Sequence, residues 1–500
     1  MPINSHHLEY VTALPGWLRA RDVVGGEDLV KRAGEKYLAR LDGMTDDEYA
    51  AYLGRASYYN ATGRTVEGYV GLMFRRSPVV WEAGPGVAYS AMVAAFLGDV
   101  DLLGTSLEAY ARALSWEVLT TGRGGSLVDW EGTAEQRAYL TYYPAEQIVN
   151  WRVARVAGRS VLTLVVLAEV VDVGDDEFCP KLVEQWRVLR LVTGPTVGGA
   201  AASRRYVVEL WRRDGQGAWF QHSTVTPLRR GLALPLIPFV WHGARHSRPD
   251  VGAVPLTDLI VLNLDHYRLN ADYKHGLHFT ALPTAWVSGF ERGSVPKIGS
   301  TAVWVSEQIG ATAGYLEFLG TGLGTFETAM DRDERMLSML GTRLLESERK
   351  VAETATAIKL RQSGEQSVLA TVANSISDSL TDLLRWVIWW GSAEVTPDEV
   401  MRGLALYQIN TDFGAHGLAS QDLQALVAAW QAGALSQDTM LELMRRGELL
   451  PEGRTTAEEQ ALIGQEAAAA VARRAAAVGA PVVVGAGGGG GIGGVGVGGN

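Results

Sequence analysis

The chain of 500 residues has one cysteine, Cys179, and nine histidines. A single thiol excludes an intrachain disulfide framework and a four-cysteine zinc site. No apolar run approaches the roughly 20 residues that a membrane-spanning helix requires. Residues 383–390 (LLRWVIWW) are interrupted by Arg385, and the β-rich stretch 160–173 contains Glu169 and Asp172. There is no G-x-x-x-x-G-K-[ST] loop to cradle a nucleotide triphosphate and no G-x-S-x-G nucleophile elbow. Basic residues are in the minority: 45 Lys and Arg stand against 56 Asp and Glu, a net charge of −11. That balance excludes a protein that coats nucleic acid with a generally basic surface. The opening stretch MPINSHHLEYVTALPGW lacks a basic region followed by an apolar core. We therefore expect no signal peptide, no membrane partner and synthesis in a reducing cytoplasm.

What is present divides into four zones. Residues 1–120 read as mainly helical, with short helices over 26–41 and 45–60 and helical spacing over 94–98 and 101–121. Residues 122–248 change character. Segments 126–130, 160–173, 181–192 and 205–212 are rich in Val, Leu, Tyr and Trp and are separated by Gly and Asp clusters, the pattern of antiparallel strands. The stretch 194–204 reads as a loose loop or hairpin tip.

The third zone opens at Pro255 with a long helix predicted over 255–281, its polar residues spread around all sides. A short β-rich insert follows at 283–320, with strand-like alternation over 284–288, 302–306 and 314–319. A second long helix over 325–347 carries Phe326, Met330, Leu337, Leu340 and Leu344 at three- and four-residue steps. After a break near 348–356, a third long helix sets Ile358, Leu369, Val372, Ile376, Leu380, Leu383 and Val387 on one stripe. The fourth zone, 396–475, reads as short helices with N-cap signals at Thr396-Pro397-Asp398-Glu399 and at Ser436-Gln437-Asp438. Between 391 and 470 lie 12 acidic and 4 basic residues, so most of the net charge sits here. Residues 485–500 hold 11 glycines in 16 positions and cannot build a core of their own. The fold class is α+β.

Four motifs carry possible chemistry. Gly320-Thr-Gly-Leu-Gly324 lies between a predicted strand and a helix, where a dinucleotide fingerprint would matter. Its third glycine position falls on Thr325, and no acidic strand end follows, so a flexible joint is the plainer reading. Thr121-Gly-Arg-Gly-Gly-Ser126 lacks a lysine, precedes a strand and reads as a turn. His266, Asp272, His275 and His278 could supply metal ligands, but 266 and 275 point to opposite sides of one helix; surface or interface histidines are the alternative. Arg349 and Lys350 form a basic pair at a helix break, a position that suits a helix C-terminus or a phosphate contact.

The order of the third zone, with several strings, resembles the portal proteins of tailed bacteriophages, in a portal-like family long catalogued as a domain of unknown function. The strings are YYNATGRTVEGYVGLMFRRSP at 58–78, YPAEQIVNWR at 143–152, LDHYR at 264–268, HGLHFTALP at 275–283, and ETATA at 353–357 with Gly364, Glu365 and Leu369. The similarity covers about 20–475 and leaves the glycine tail outside. It implies a portal fold: a wing at 1–254, a first stem helix at 255–282, a small β-rich clip at 283–323 and a second stem helix at 324–348. A tunnel loop would occupy 349–357, a long wing helix 358–395, a helical crown 396–475 and the tail 476–500.

The implied function is a non-enzymatic ring, usually of twelve subunits, at one vertex of the capsid in the virion. Double-stranded DNA passes through it during packaging and ejection. The implied partners are the terminase large subunit, the head–tail adaptor and the major capsid protein; no cofactor and no metal is implied. Arg349, Lys350 and Glu353 fall in the tunnel loop as DNA-channel residues. Trp286, Phe290, Lys297 and Trp304 fall in the clip as partner-docking candidates, the aromatics equally suited to filling the clip's own small core. An acidic chain fits a conduit, because each phosphate contact adds affinity and a uniformly basic bore would grip its cargo. Two rival readings stand beside this one: a nucleotide-binding enzyme using Gly320–Gly324, and a monomeric two-domain structural adaptor.

Overall fold

A computed structural model describes residues 3–466 apart from 83–90, 157, 195–203, 282–283, 291–302, 317–319, 321, 344–367, 392–404, 412, 414–419 and 447–457. The chain divides into two units, Met1–Phe413 and Gly414–Asn500.

The first unit begins with α1 (Leu8–Gly25), α2 (Glu27–Arg32), α3 (Asp46–Arg55), α4 (Ala61–Met73), strand β1 (Val79–Glu82), α5 (Ala91–Gly98) and α6 (Leu107–Thr121). Local chemistry sets these bounds. Thr45 and Glu48 form a reciprocal capping box at the start of α3. Ser106 caps α6 through the Ala109 amide, and Gly122 ends it at φ 77°, where a Cβ would meet the Ala253 carbonyl oxygen at 2.8 Å. The region was expected to be helical and is. Helix α1, with Pro15 inside it, had no counterpart in the sequence reading. The segment 121–126, read as a turn, is the last residue of α6, then Gly122, then directly a strand.

That strand is β2 (Arg123–Trp130), followed by β3 (Ala138–Pro144), β4 (Ile148–Val156), β5 (Arg159–Asp172), β6 (Leu182–Thr193), β7 (Arg204–Arg213) and β8 (Trp219–Val225). A small hairpin, β9 (Leu228–Arg229) with β10 (Leu232–Ala233), leads to β11 (Phe239–Gly243). The four expected strands are present, and all pairings are antiparallel. One sheet runs β4-β5-β6-β7-β8 and another β11-β2-β3. A partly buried ion cluster ties the helices to this β region: Arg21 forks onto Glu117 at 2.5 and 2.8 Å and onto Glu146 at 2.7 and 2.8 Å.

Further elements of the unit follow among the described residues. They are α7 (Thr257–Ala281), the strand pair β12 (Thr284–Ser288) and β13 (Thr312–Leu316), α8 (Leu323–Arg343) and α9 (Val368–Gly391). Strand β14 (Ala405–Gln408) then pairs with β1. This strand lies in the stretch 396–475, which was expected to be helical. Its period-two pattern, Ala405 and Tyr407 buried against Leu406 exposed, together with the free edge of β1, favours the extended form. A second departure concerns 302–306, read as a strand. Val303 to Ser306 form no ladder, and Thr312–Leu316 is the strand that pairs with Thr284–Ser288. Val303 and Val305 are left 84% and 78% exposed.

In the second unit, α10 (Ser420–Gln431) contacts α11 (Gln437–Arg446). Ser436 caps α11 as expected, its hydroxyl accepting from the Thr439 amide at 3.1 Å, and Met440 and Leu441 are buried. No helix among the described residues is long and apolar enough to cross a membrane.

Candidate functional site: a two-helix hairpin and its β tip

Helices α7 and α8 contact one another along their length. Tyr273 donates to Glu327 at 2.6 Å, Asn270 meets the Met330 sulfur at 4.0 Å, and His266 Nε2 lies 3.5 Å from Glu334 Oε1. Falling numbers on α7 thus meet rising numbers on α8, so the helices are antiparallel. At 1.5 Å per residue, the 25 residues of α7 span about 37 Å. Near the outer end, Gly276 lets Leu323 approach; a Cβ there would meet the leucine Cδ2 at 2.8 Å.

The inner half of α7 is anchored by polar contacts. Asn263 is fully buried; its Oδ1 accepts from the Thr62 amide at 3.1 Å and the Thr62 hydroxyl at 2.8 Å, while its Nδ2 donates to the Tyr59 carbonyl at 2.7 Å. The Asn270 side chain accepts from the Ser57 amide at 2.9 Å, and Tyr52 donates to Asp272 at 2.5 Å. Burial and then this carboxylate push the Tyr52 phenol pKa well up. Two of the strings that carry the sequence resemblance, at 58–78 and 264–268, meet in space beside these contacts, Tyr58 standing edge-on to Tyr267 at 5.8 Å. Asn263 was not among the sequence candidates. The signal was available, since it is the one amide inside LIVLNL, where a buried polar group implies a partner.

The histidines are spent on packing. His275 Nδ1 lies 3.2 Å from Arg55 and its ring stands edge-on to Tyr52; burial and the neighbouring guanidinium lower its pKa. No cluster of three or more His, Cys, Asp or Glu among the described residues could hold a metal ion.

At the tip, Trp286 pairs across from Gly314, whose missing side chain makes room for the indole, and Trp286 remains 45% exposed. Trp304 stacks obliquely on Tyr315 at 5.7 Å, so this aromatic packs inside the insert itself. Phe290 is half-buried, and Lys297 lies outside the described residues. Exposed Val303, Val305 and Ile309 were not singled out from the sequence and give the tip an apolar surface. The glycine segment 320–324 joins β13 to α8: Gly320 sits at φ 61° and α8 begins at Leu323, the joint that was expected. The second-helix stripe is also present, with Leu337 buried and Phe326, Met330 and Leu340 half-buried. Arg349, Lys350 and Glu353 lie outside the described residues, as do Leu344 and Ile358.

Helix α9 follows the hairpin and is buried nearly all round. Leu369, Ile376, Leu380 and Leu383 are fully buried on the expected stripe. Its hydroxyls satisfy backbone groups that neighbouring strands leave unpaired. Ser375 donates to the Gly243 carbonyl at 2.8 Å, Ser377 accepts from the Ile409 amide at 3.0 Å, and Thr381 accepts from the Tyr407 amide at 2.9 Å.

Comparison with known proteins places a family match on this region. Residues 255–391, α7 through α9, match a domain of unknown function (DUF4055), about a quarter of the chain. No curated protein matches. Among solved structures, a chain in the virion of a native gene transfer agent particle aligns at 14% identity and a TM-score of 0.38, covering 86% of this chain and 99% of that one. A chain in the neck of the empty particle, computed with C6 symmetry, aligns at 13% and 0.38 over 82% and 95%. A chain in the neck of the native particle, computed with C12 symmetry, aligns at 13% and 0.37 over 84% and 98%. Likeness at this level transfers neither fold nor role.

Proposed function

We propose that the chain is a portal subunit of a tailed bacteriophage: a structural ring of about twelve copies at the capsid vertex, through which DNA is packaged and ejected. The observation that carries this is the antiparallel pair α7–α8, joined through a small two-stranded tip and followed by the long buried helix α9. It agrees with the element order behind the sequence resemblance, and the strings at 58–78 and 264–268 meet through Tyr58 and Tyr267 beside the Thr62–Asn263 contact. In this reading α7 and α8 form the stem, the β12–β13 tip is the clip that docks terminase and then the adaptor, and residues 349–357 form the tunnel loop. The half-exposed Trp286 and the exposed Val303 and Val305 suit such a docking surface. Arg349 and Lys350, tempered by Glu353, would touch passing phosphates without holding them.

Negative-stain images of the purified full chain test the reading. Rings of about twelve subunits around a central opening are expected. A monodisperse monomer at micromolar concentration would refute it.

A further inference from the structure

Between the β4–β5 hairpin, strand β11 and helix α9 lies a cleft of about 610 Å³. Its walls are mainly apolar: Val153, Leu162, Leu236, Phe239, Trp241 and Trp386 line it, the first three open in part to solvent. Its rim is basic. Val153 and Arg155 share one face of β4, across from Leu162 and Ser160, so Arg155 stands on the cleft-facing side. Arg248 lines the cleft, and Arg245 precedes it in the segment after β11. All three arginines are exposed, and none makes a hydrogen bond or ion pair among the described residues. The acids nearby are engaged elsewhere: Asp382 accepts from Arg385 at 2.9 Å, and Asp250 faces His246 at 3.2 Å. On a chain of net charge −11, the cleft is an apolar hollow with an unneutralised positive edge.

The complementary surface is at the other end of β5. The connection from β5 to β6, residues 173–181 (VGDDEFCPK), is exposed almost throughout, and Phe178 is 87% exposed. Two of its acids shape the backbone. Asp172 accepts from the Gly174 and Lys181 amides at 2.9 and 2.8 Å, and Asp176 accepts from the Phe178 amide at 2.9 Å. Asp175 and Glu177 are left with no hydrogen bond or ion pair among the described residues. The tip thus presents an aromatic ring in water between free carboxylates, matching an apolar hollow edged by free guanidinium groups. From Leu162 to Asp172, β5 rises about 34 Å at about 3.4 Å per residue. It is held between β4 and β6 over that length, so the tip cannot fold back into its own cleft. Two copies side by side can bring them together, and such a heterologous contact closes into a ring when the rotation per copy allows it.

We infer that the β5–β6 tip of one copy seats Phe178 in the cleft of the neighbouring copy, with Asp175 and Glu177 against Arg155, Arg245 and Arg248. The aromatic ring supplies the anchor and the charges supply register and partner choice. The inference rests on the ring reading above and adds to it the surfaces that join one copy to the next.

The test is a charge swap on the full-length chain, with assembly followed by analytical ultracentrifugation and folding of the dissociated subunit by thermal melting. One variant reverses the tip, Asp175→Lys with Glu177→Lys; a second reverses the rim, Arg245→Glu with Arg248→Glu. Each alone should raise the concentration for half-assembly about ten-fold or more, with the subunit melting temperature unchanged, since all four sites are exposed. An equimolar mixture of the two should assemble nearly as the wild type does, because each reversed tip then meets a reversed rim and each native tip a native rim. Phe178→Ser, a change at an exposed site, should weaken assembly by a similar factor. A mixture that assembles no better than either variant alone would overturn the contact. So would a tip-reversed chain that assembles normally while the rim-reversed chain does not, which would mean that another segment fills the cleft. A wild-type chain that never assembles refutes the ring reading and this contact with it, whereas a wild-type ring indifferent to all these substitutions refutes the contact alone.

Discussion

Helices α7 and α9 are nearly equal in length, 25 and 24 residues, yet their sequences look nothing alike. Along α9 the apolar residues recur every three or four positions, and 17 of its residues are buried, so the stripe announces the packing. Along α7 the charged and amide groups occur on every side. The reason is what each helix touches. Strands, α5 and α6 surround α9 and offer it mainly apolar faces, with a few unpaired backbone groups that Ser and Thr satisfy. Helices α1, α3, α4 and α8 surround α7, and the segment 57–62 reaches it with backbone amides and hydroxyls. Burial through apolar surface leaves a periodic trace in a sequence, and burial through specific hydrogen bonds does not.

Substitutions can break this contrast. Ile376 is fully buried on the α9 stripe. Ile376→Asp puts an unpaired charge among apolar neighbours, and we expect a loss of about 4 kcal/mol or more in urea unfolding of the full chain. A loss under about 1 kcal/mol would mean that the stripe is not held by packing. Asn263→Leu is the sharper probe of α7. On an apolar helix, such a change at a buried position would be neutral or stabilising. Here it strands the Thr62 amide and hydroxyl and the Tyr59 carbonyl, so a loss of about 3 kcal/mol is expected. A gain in stability would place α7 in the same class as α9.

The same contrast explains how much was legible in advance. The stripes on α8 and α9, the Ser436 cap, the four strand segments and the Gly320–Gly324 joint all follow from spacing within one segment, and all appear in the structure. The strand Ala405–Gln408 was missed because its partner, Val79–Glu82, is more than 300 residues distant and a four-residue run carries too little period of its own. The segment 302–306 erred in the other direction: it alternates like a strand, but alternation says nothing of a partner, and its described residues, 303–306, form no ladder. At the candidate site, sequence alone found Trp286 and Trp304. It could not separate them, because only the pairing of Tyr315 with Trp304 and of Gly314 with Trp286 decides which ring turns inward.

The smallest expected effect is also the most specific, and it concerns a polar contact of α9. His242 is buried in a chain of hydrogen bonds that joins α6, β2, β11 and α9: Tyr110 to Ser126 at 2.5 Å, Ser126 to His242 Nε2 at 2.6 Å, and His242 Nδ1 to Ser379 at 2.8 Å. Ser379 spends its own proton on the Ile376 carbonyl at 2.8 Å, so it must accept from Nδ1–H. That leaves Nε2 as an acceptor and makes Ser126 the donor to it, with Tyr110 donating to Ser126. The chain has one direction and requires a neutral imidazole. Burial accordingly lowers the His242 pKa from 6.5 to about 3. Below pH 6.5 the unfolded chain binds a proton at this site and the folded chain does not, so stability contributed here is complete above pH 6.5 and declines toward pH 3 at about 1.4 kcal/mol per pH unit. Between pH 6.5 and 5 the loss should be about 2 kcal/mol. His242→Asn keeps an acceptor toward Ser126 and a donor toward Ser379 but cannot titrate. Its unfolding free energy should therefore vary less with pH over that interval by close to one proton, measured by urea denaturation at matched ionic strength. An unchanged slope would mean that His242 does not stay neutral in the fold, and that the hydroxyls of α9 tolerate a charge that its apolar stripe would not.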